Sequence, residues 1–369
     1  MMIDSITSIR IPMTLKDPLR TSHGTHQGRI ASLVKVTTTD GHTGWGEDVS
    51  PEGVAYVGET PMASFESLRL MADVVGPREI DVAEMFSGSW WGVAGRNYAK
   101  HALESALWDA HSQTLGVSLM SALNGTKALI TPGVVIGVHD SLDDLEASVR
   151  ARAGEGYQRI KLKIQPGWDI APVSRARQIL GNNFVLQVDA NAAYSRDDIK
   201  HLLELQEFNV QFIEQPFAAE DLEGHALLAT QTSIPICLDE SVITVDDVML
   251  AIELNACSVL NIKPSRVGGL SDAVRMQEIA TSHGLQVWVG GMLETGIGRA
   301  SCLALASRPG FTLTPDLSAS NRYFERDITE PFKLVDGQIA VPDSVGIGVG
   351  PLPWVYEHPE LKIETLFSR

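Results

Sequence analysis

Five charged residues each close a short apolar run in the middle of the chain. They are Lys163, Asp189, Glu214, Asp239 and Lys263, with neighbouring members 24 to 26 residues apart. Each run is rich in Val, Ile and Leu, which is typical of a strand buried on both faces, and a helical stretch follows each one. This repeat predicts parallel strands joined by right-handed crossovers. In a (β/α)8 barrel the ends of such strands meet at one mouth, where active sites lie.

Asp189, Glu214 and Asp239 form a row of carboxylates at the ends of three consecutive predicted strands. In a low-dielectric mouth they would repel one another unless some took up protons or a cation bound. Oxygen ligands suit Mg²⁺, with Mn²⁺ as a substitute, whereas Zn²⁺ would favour His and Cys. The alternative is that these residues cap helices or form salt bridges, but their equal spacing favours a metal site.

Lys161 and Lys163 share one face of a strand, because residues i and i+2 point the same way. Buried lysines are rare unless they are paired, and the apolar residues around them argue against the alternative of a solvated edge strand. Lys163 on the second strand and Lys263 on the sixth would face each other across the mouth. Such a pair is suited to removing a proton from one face of a substrate and returning it to the other. A neighbouring lysine and a nearby cation are expected to lower the pKa of the base.

These motifs together resemble the enolase superfamily, in its muconate-lactonizing subgroup. The matching motifs are Lys161-x-Lys163, Asp189-x-Asn191, Glu214-Gln215-Pro216, Asp239-Glu240-Ser241 and Lys263-Pro264. The capping-domain motif Gly44-Trp45-Gly46-Glu47 extends the resemblance over nearly the whole chain. The run from Gly290 to Arg299 is most similar to the o-succinylbenzoate synthase / N-succinylamino acid racemase family. Dipeptide epimerases carry an Asp-x-Asp near the eighth strand, whereas Asp316 stands alone here.

The resemblance implies a fold, a cofactor and a set of roles. The fold is a modified (β/α)8-type (TIM) barrel with an N-terminal α+β capping domain that the C-terminal segment completes. The implied Mg²⁺ ligands are Asp189, Glu214 and Asp239. The implied acid/base pair is Lys163 and Lys263, with Lys161 stabilising an enediolate. The implied substrate contacts are Asn191, Gly291, Met292 and Leu293, with Arg20 and His23 as lid residues at the distal end of the substrate.

The implied reaction is Mg²⁺-dependent removal of the α-proton of a small-molecule carboxylate through an enediolate. We expect an N-succinylamino acid (N-acylamino acid) racemase with accompanying o-succinylbenzoate synthase activity. The alternatives are o-succinylbenzoate synthesis for menaquinone as the main role, an acid-sugar dehydratase, or a barrel kept only for binding. The sequence leaves open the acyl group, the amino acid and the size of the expected homo-oligomer.

The 369 residues exceed the length of about 250 that is typical of a barrel, so an added domain is expected. We predict a capping domain over residues 1–125, a barrel over 126–324 and a returning segment over 325–369. Residues 311–314 are a weak eighth strand. Residues 17–24 form a polar loop, interpreted either as a lid or as a solvated hairpin loop. The glycine-rich start of the helix at Gly296 is expected to receive a substrate carboxylate or amide oxygen.

The composition excludes several other classes of protein. A formal net charge of −17 argues against a nucleic-acid or anionic-membrane partner. No run reaches the roughly 20 apolar residues of a membrane span, and no signal peptide is expected. Three cysteines without a CxxC pair fit a reducing cytoplasm and buried structural thiols better than a nucleophile. Gly296-x-Gly298 is too short a match to indicate dinucleotide binding.

Overall fold

The computed structural model describes residues 1–21, 24–51, 58–81 and 95–369. Its strands are β1 (Ile3–Thr21), β2 (Gly24–Thr38), β3 (Thr43–Asp48), β4 (Leu129–Ile130), β5 (Val134–Ile136), β6 (Arg159–Lys163), β7 (Val185–Asp189), β8 (Ile213–Glu214), β9 (Ile236–Leu238), β10 (Val259–Ile262), β11 (Gln286–Val289), β12 (Ile339–Ala340) and β13 (Lys362–Ser368). Its helices are α1 (Pro61–Val75), α2 (Asn97–Leu115), α3 (Leu119–Ala122), α4 (Leu142–Gly154), α5 (Ile170–Leu180), α6 (Ile199–Leu202), α7 (Leu222–Gln231), α8 (Val245–Glu253), α9 (Pro264–Val267), α10 (Leu270–Ser282) and α11 (Gly296–Ala306). Short 3₁₀ helices cover Arg196–Asp198, Leu203–Phe208, Ser320–Arg322 and Pro353–Glu357.

The capping domain is an antiparallel sheet in the order β13-β1-β2-β3, packed against α1 and α2. Gly44 and Gly46 let β3 lie directly on α2, because a Cβ at either position would come within 1.9 Å of a carbonyl oxygen of that helix. The pairing of β13 with β1 confirms that the C-terminal segment returns to complete this domain. The boundaries near residues 125 and 325 stay predictions.

The polar stretch 17–24, interpreted as a lid or a solvated hairpin loop, is strand in its described residues. Its described residues continue the β1–β2 hairpin, with Leu19 opposite His26 and Thr21 opposite Gly24. Backbone pairing across the hairpin supplies partners for polar groups that an isolated loop would leave to water. The backbone carbonyl of Arg20 accepts the N–H of Val138, so this arm reaches the end of the first barrel strand.

The barrel is built from a parallel sheet that, within the described residues, runs in the order β5-β6-β7-β8-β9-β10-β11. The predicted side-chain phase is confirmed on β6. Ile160 and Leu162 are buried in the core between strands and helices. Lys161 makes its ion pairs with residues that follow or close other strands, and therefore points to the barrel interior. The (β/α)8-type fold is confirmed.

The helices that separate the strands begin where the sequence supplies caps. Ser141 accepts the N–H of Asp144 at the start of α4, as predicted. Thr244 and Asp247 form a reciprocal capping box at the start of α8. Such caps satisfy N–H groups that have no partner inside the helix, and so fix where each crossover begins.

The expected eighth strand at 311–314 is not a regular strand. Thr312 and Asp316 nevertheless donate their N–H groups to Val287 and Val289 of β11, and Gly133 donates to Pro315 on the other side. The segment therefore bridges the gap between β11 and the residues preceding β5. Pro315 has no N–H to give to a strand ladder, which explains the irregular pairing. None of the helices in the described ranges has the length and apolar character required to cross a bilayer.

Candidate active site

The five charged residues lie side by side at the carboxyl ends of the barrel strands. Lys163 is in register with Asp189 between β6 and β7, and Asp189 is in register with Glu214 between β7 and β8. Asp239 directly follows β9 and Lys263 directly follows β10. The two lysines therefore flank a row of three carboxylates, each at most 1% exposed.

Lys161 is held deep in the mouth by three carboxylates. Its Nζ lies 2.9 Å from Asp189, 2.6 Å from Glu214 and 2.6 Å from Asp316. Burial opposes the charge of this ammonium, but the three carboxylates outweigh burial and raise the pKa of Lys161. Its charged state suits the implied role of stabilising negative charge on a substrate.

Lys163 contacts the first carboxylate of the row and the side chain of Asn191. Its Nζ lies 2.7 Å from Asp189 Oδ2 and donates to Asn191 Oδ1. Asn191 has a left-handed backbone, with φ of 43°, which Asn tolerates better than most residues. Its amide donates to Glu240 at 2.9 Å, so Glu240 acts on the site through Asn191.

Lys263 contacts the last carboxylate of the row, which also pairs with an arginine side chain. Its Nζ lies 2.8 Å from Asp239 Oδ2. The guanidinium of Arg266, from the short helix α9, forms an ion pair with Asp239 Oδ1. Arg266 is 1% exposed and also donates to the carbonyls of Asn261 and Val242, which fixes its orientation.

Side-chain amides hold the middle and the last carboxylate of the row. Asn261 donates to Glu214 at 2.6 Å, and Gln215 accepts the N–H groups of Asp239 and Ser241. Burial and the carboxylate of Asp189 raise the pKa of Glu214. Burial acts on Asp189 in the same direction, but its two lysine partners outweigh burial and hold its pKa below the ordinary value.

These residues fit a divalent cation by their chemistry. They are buried hard oxygen donors, and Asp189 and Glu214 lie in register at the ends of neighbouring strands. Among the described residues, however, no three His, Cys, Asp or Glu side chains converge on a common point. The cause is that Lys161 lies between Asp189 and Glu214, while Lys263 and Arg266 contact Asp239.

Two buried arginines, which were not expected from the sequence, pair with carboxylates that contact the lysines. Arg159 begins β6, is fully buried and forms an ion pair with Asp316, whose other oxygen contacts Lys161. Burial opposes the charge of Asp316, but Arg159 and Lys161 outweigh it and lower its pKa to about 2. The signal was the alternation Arg159-x-Lys161-x-Lys163, which places three cations on one strand face. Arg266, three residues after Lys263, carried no comparable signal.

The segment after β11, residues 290–295, packs closely against the site. A Cβ at Gly290 would lie 2.7 Å from Lys263 Cε, and a Cβ at Gly291 would lie 2.4 Å from the carbonyl oxygen of Asp316. These glycines thus make room for residues of the site as well as for any ligand. Leu293 has a left-handed backbone, with φ of 59°.

The expectation that the start of α11 receives a substrate carboxylate is wrong. Thr295 and Gly298 donate their N–H groups to Glu47, and Gly296 donates to Asp327. Carboxylates of this chain therefore already bind the N–H groups of Thr295, Gly296 and Gly298.

The predicted substrate-binding residues are only partly brought together. Arg20 and Leu293 line one cavity of about 330 Å³, together with residues after β5 and Tyr323. Arg20 is half exposed and pairs with Asp140 at 2.5 Å. Gly291, Met292 and the three lysines do not line this cavity, whose walls are known only over the described residues. His23 lies outside the described residues.

Known proteins match this chain over nearly its full length. Residues 4–124 match the mandelate racemase / muconate lactonizing enzyme N-terminal domain, and residues 144–353 match the enolase C-terminal domain-like family. An N-succinylamino acid racemase from Amycolatopsis sp is 41% identical over 96% of both chains. An o-succinylbenzoate synthase from Bacillus subtilis (strain 168) is 42% identical over 94% of both chains.

A solved structure has the same architecture. It is an enolase superfamily member from Enterococcus faecalis V583, which superposes with a TM-score of 0.92 at 35% identity and covers 100% of both chains. The family matches cover both the capping domain and the barrel, and the superposition extends over the whole length. This chain belongs to the mandelate racemase / muconate lactonizing enzyme family of the enolase superfamily.

Proposed function

We propose that this chain racemises N-succinylamino acids, or N-acylamino acids more generally, and also has o-succinylbenzoate synthase activity. The observation that carries the proposal is the position of Lys163 and Lys263 at the two ends of the buried carboxylate row. The full-length similarity to relatives with these two activities supports the substrate class.

The proposed ligands of a divalent cation, preferably Mg²⁺, are Asp189, Glu214 and Asp239. When bound, the cation would supply a positive charge that binds the substrate carboxylate and stabilises the negative charge developing on it. The carboxylates are neighbours on consecutive strands and are buried, which supports this assignment. Lys161, kept charged by Asp316 and its other partners, would share the stabilisation.

Racemisation needs one neutral and one charged lysine. The neutral amine of one lysine accepts the α-proton and becomes an ammonium, while the ammonium of the other donates a proton to the opposite face of the same carbon. The protonation states of Lys163 and Lys263 are therefore exchanged after each inversion. Asn191 would orient Lys163, and Arg266, through Asp239, would orient Lys263.

Synthesis of an aromatic acid uses fewer of these groups. Lys163 would accept the α-proton and return it to the departing hydroxyl on the same face, so that water leaves and the ring becomes aromatic. Lys263 would need only to remain a nearby cation. The same site thus supports o-succinylbenzoate synthesis as the second candidate for the main role, and the similarity to the Bacillus subtilis synthase favours it.

Incubation of the Mg²⁺-loaded protein with N-succinyl-L-phenylalanine in deuterated water tests the proposal. We expect α-deuterium to enter the substrate while optical rotation decays towards zero. No deuterium uptake with any N-acylamino acid would contradict the racemase. If the protein instead removes water from the hydroxycyclohexadiene carboxylate that becomes o-succinylbenzoate, and exchanges no N-acylamino acid, synthesis is the favoured main role.

A thermal-stability screen with N-succinylamino acids and sugar acids, with and without Mg²⁺, tests the acid-sugar alternative. The apolar side chains of Met292 and Leu293 favour the acylamino acids, since sugar acids need partners for many hydroxyls. Stabilisation by sugar acids alone would contradict the proposed substrate class. A reducing cytoplasm is the proposed setting, because Cys237, Cys257 and Cys302 are free thiols.

A further inference from the structure

The segment 290–295 is held from outside the barrel by Arg29 of the capping domain. Arg29 lies on β2, and its Nη1 donates to the backbone carbonyls of Met292 at 3.2 Å and Leu293 at 3.1 Å. Its Nη2 donates to the carbonyl of Asp48 at 2.9 Å. The side chain is 8% exposed, so these bonds form away from bulk water. One guanidinium thus joins the capping sheet to two consecutive peptide groups of the pocket segment.

A second contact from the capping domain holds the end of the same segment. The carboxylate of Glu47, on β3, accepts the Thr295 hydroxyl at 2.7 Å and the Gly298 N–H at 2.9 Å. Gly298 allows this approach, because a Cβ there would lie 2.8 Å from Glu47 Oε2. Burial raises the pKa of Glu47 while Arg29, 3.5 Å away, opposes the shift. Arg29 and Glu47 therefore form a pair in which each side chain compensates the charge of the other.

The segment between these two contacts is strained. Leu293 adopts a left-handed backbone, with φ of 59°, which a branched side chain rarely occupies. Such a conformation persists only where surrounding contacts hold it. Arg29 binds the carbonyl of Leu293 itself, and Glu47 binds the N–H two residues later. Leu293 also lines the cavity of about 330 Å³ that Arg20 borders.

We propose that Arg29 and Glu47 are positioning residues that set which substrate side chains the pocket admits. They act through the backbone of Met292 and Leu293 and need not touch the substrate. Releasing the segment would let Leu293 leave its strained conformation and change the shape of the cavity. The proton-transferring lysines are held by other contacts, so substrate selection should change more than the chemical step. The inference rests on the proposed function for its kinetic consequences, but not for the conformational one.

Arg29→Met tests the proposal, because methionine keeps the apolar stem and removes all N–H donors. We expect KM for N-succinyl-L-phenylalanine to rise about tenfold or more, with kcat changed less than about threefold. The preference between N-succinyl-L-phenylalanine and N-succinyl-L-alanine should change by a similar factor. Arg29→Lys, which keeps the charge beside Glu47 and a single donor nitrogen, should restore part of the preference. The matched control is Arg10→Met, because Arg10 lies on the same sheet but pairs with Glu364.

Hydrogen exchange of the amides in residues 290–298 provides a readout that needs no substrate. It should accelerate in Arg29→Met and remain unchanged in Arg10→Met. Unchanged exchange and unchanged substrate preference in a folded Arg29→Met protein would overturn the inference. If Arg29→Met does not fold, the same two measurements on Arg29→Lys decide. If the parent protein exchanges no α-proton of any N-acylamino acid, the proposed function fails, while amide exchange still decides the role of the pair.

Discussion

A methyl group added at Gly290 is expected to slow proton transfer on the Lys263 face of the substrate more than on the Lys163 face. An ideal Cβ at this position lies 2.2 Å from Asn261 Oδ1, 2.7 Å from Lys263 Cε and 2.8 Å from Lys263 Cγ. Gly290 is not among the residues with a positive φ, so alanine meets no backbone strain there. The variant Gly290→Ala must therefore displace both the Lys263 side chain and the Asn261 amide.

The size of the displacement follows from these distances. Real Cβ contacts are essentially never shorter than 3.0 Å, so Lys263 Cε must retreat by about 0.3 Å and the Asn261 oxygen by about 0.8 Å. A misplacement of about 1 Å can cost roughly 10²-fold in rate. Scaled to a retreat of about 0.3 Å, proton transfer through Lys263 should fall roughly 3- to 10-fold, with transfer through Lys163 changed much less.

The assay is α-proton exchange of each enantiomer of N-succinylphenylalanine in deuterated water, measured separately. Asn261 also donates to Glu214, so the rates are compared at saturating Mg²⁺ and the Mg²⁺ affinity is measured in parallel. Gly154→Ala is the control, because a Cβ there meets nothing within 4 Å. Equal losses for both enantiomers, or no loss in a folded variant, would refute the assignment of Lys263 to one face.

Four further predictions test other parts of the site and the fold. Lys263→Ala should abolish racemisation while one enantiomer still exchanges its α-proton through Lys163; loss of exchange from both would contradict separate faces. Asp316→Asn should slow exchange from both enantiomers to a similar extent, because Lys161 loses a partner at 2.6 Å; a one-sided loss would contradict this. Removal of Mg²⁺ with a chelator should stop exchange, and added Mg²⁺ should restore it; undiminished exchange in the chelator would count against the metal site. Burial raises the pKa of Glu104 to about 7, so the parent protein should lose free energy of unfolding as pH rises from about 4.5 to about 7; over this range the urea midpoint should fall further in the parent than in Glu104→Gln, which keeps the other buried carboxylates.

The periodic part of the molecule was predictable from the sequence. A strand buried on both faces appears in the sequence as a short apolar run, wherever it occurs in the chain. In each repeat of this barrel a charged residue follows the run at the same position. The strand ends at Lys163, Asp189 and Glu214 could therefore be placed to within a residue. The eighth strand left only a weak pattern in the sequence, and beside Pro315 its hydrogen bonds are irregular.

Contacts between side chains distant in sequence were not predictable. The pairing of Asp316 with Lys161, 155 positions apart, depends on the closure of the barrel. The pairing of Arg266 with Asp239, 27 positions apart, depends on how two adjacent βα units pack together. The start of α11 was misinterpreted for the same reason. Its glycines indicated an anion site correctly, but the anion is Glu47, 251 residues away from Gly298 in the chain.

The charged residues and the segment 290–295 are held by different parts of the fold, which explains how one barrel can support two reactions. The lysines and carboxylates are fixed by strands that depend mainly on neighbouring βα units, so relatives can share them regardless of substrate. The segment 290–295 depends on the capping domain, through Arg29 and Glu47, and can change without disturbing the strands. Overall similarity to a racemase and to a synthase is therefore nearly equal, since it is dominated by the shared scaffold. The residues that decide between the two reactions should be sought where the capping sheet contacts this segment, rather than among the five charged residues of the repeat.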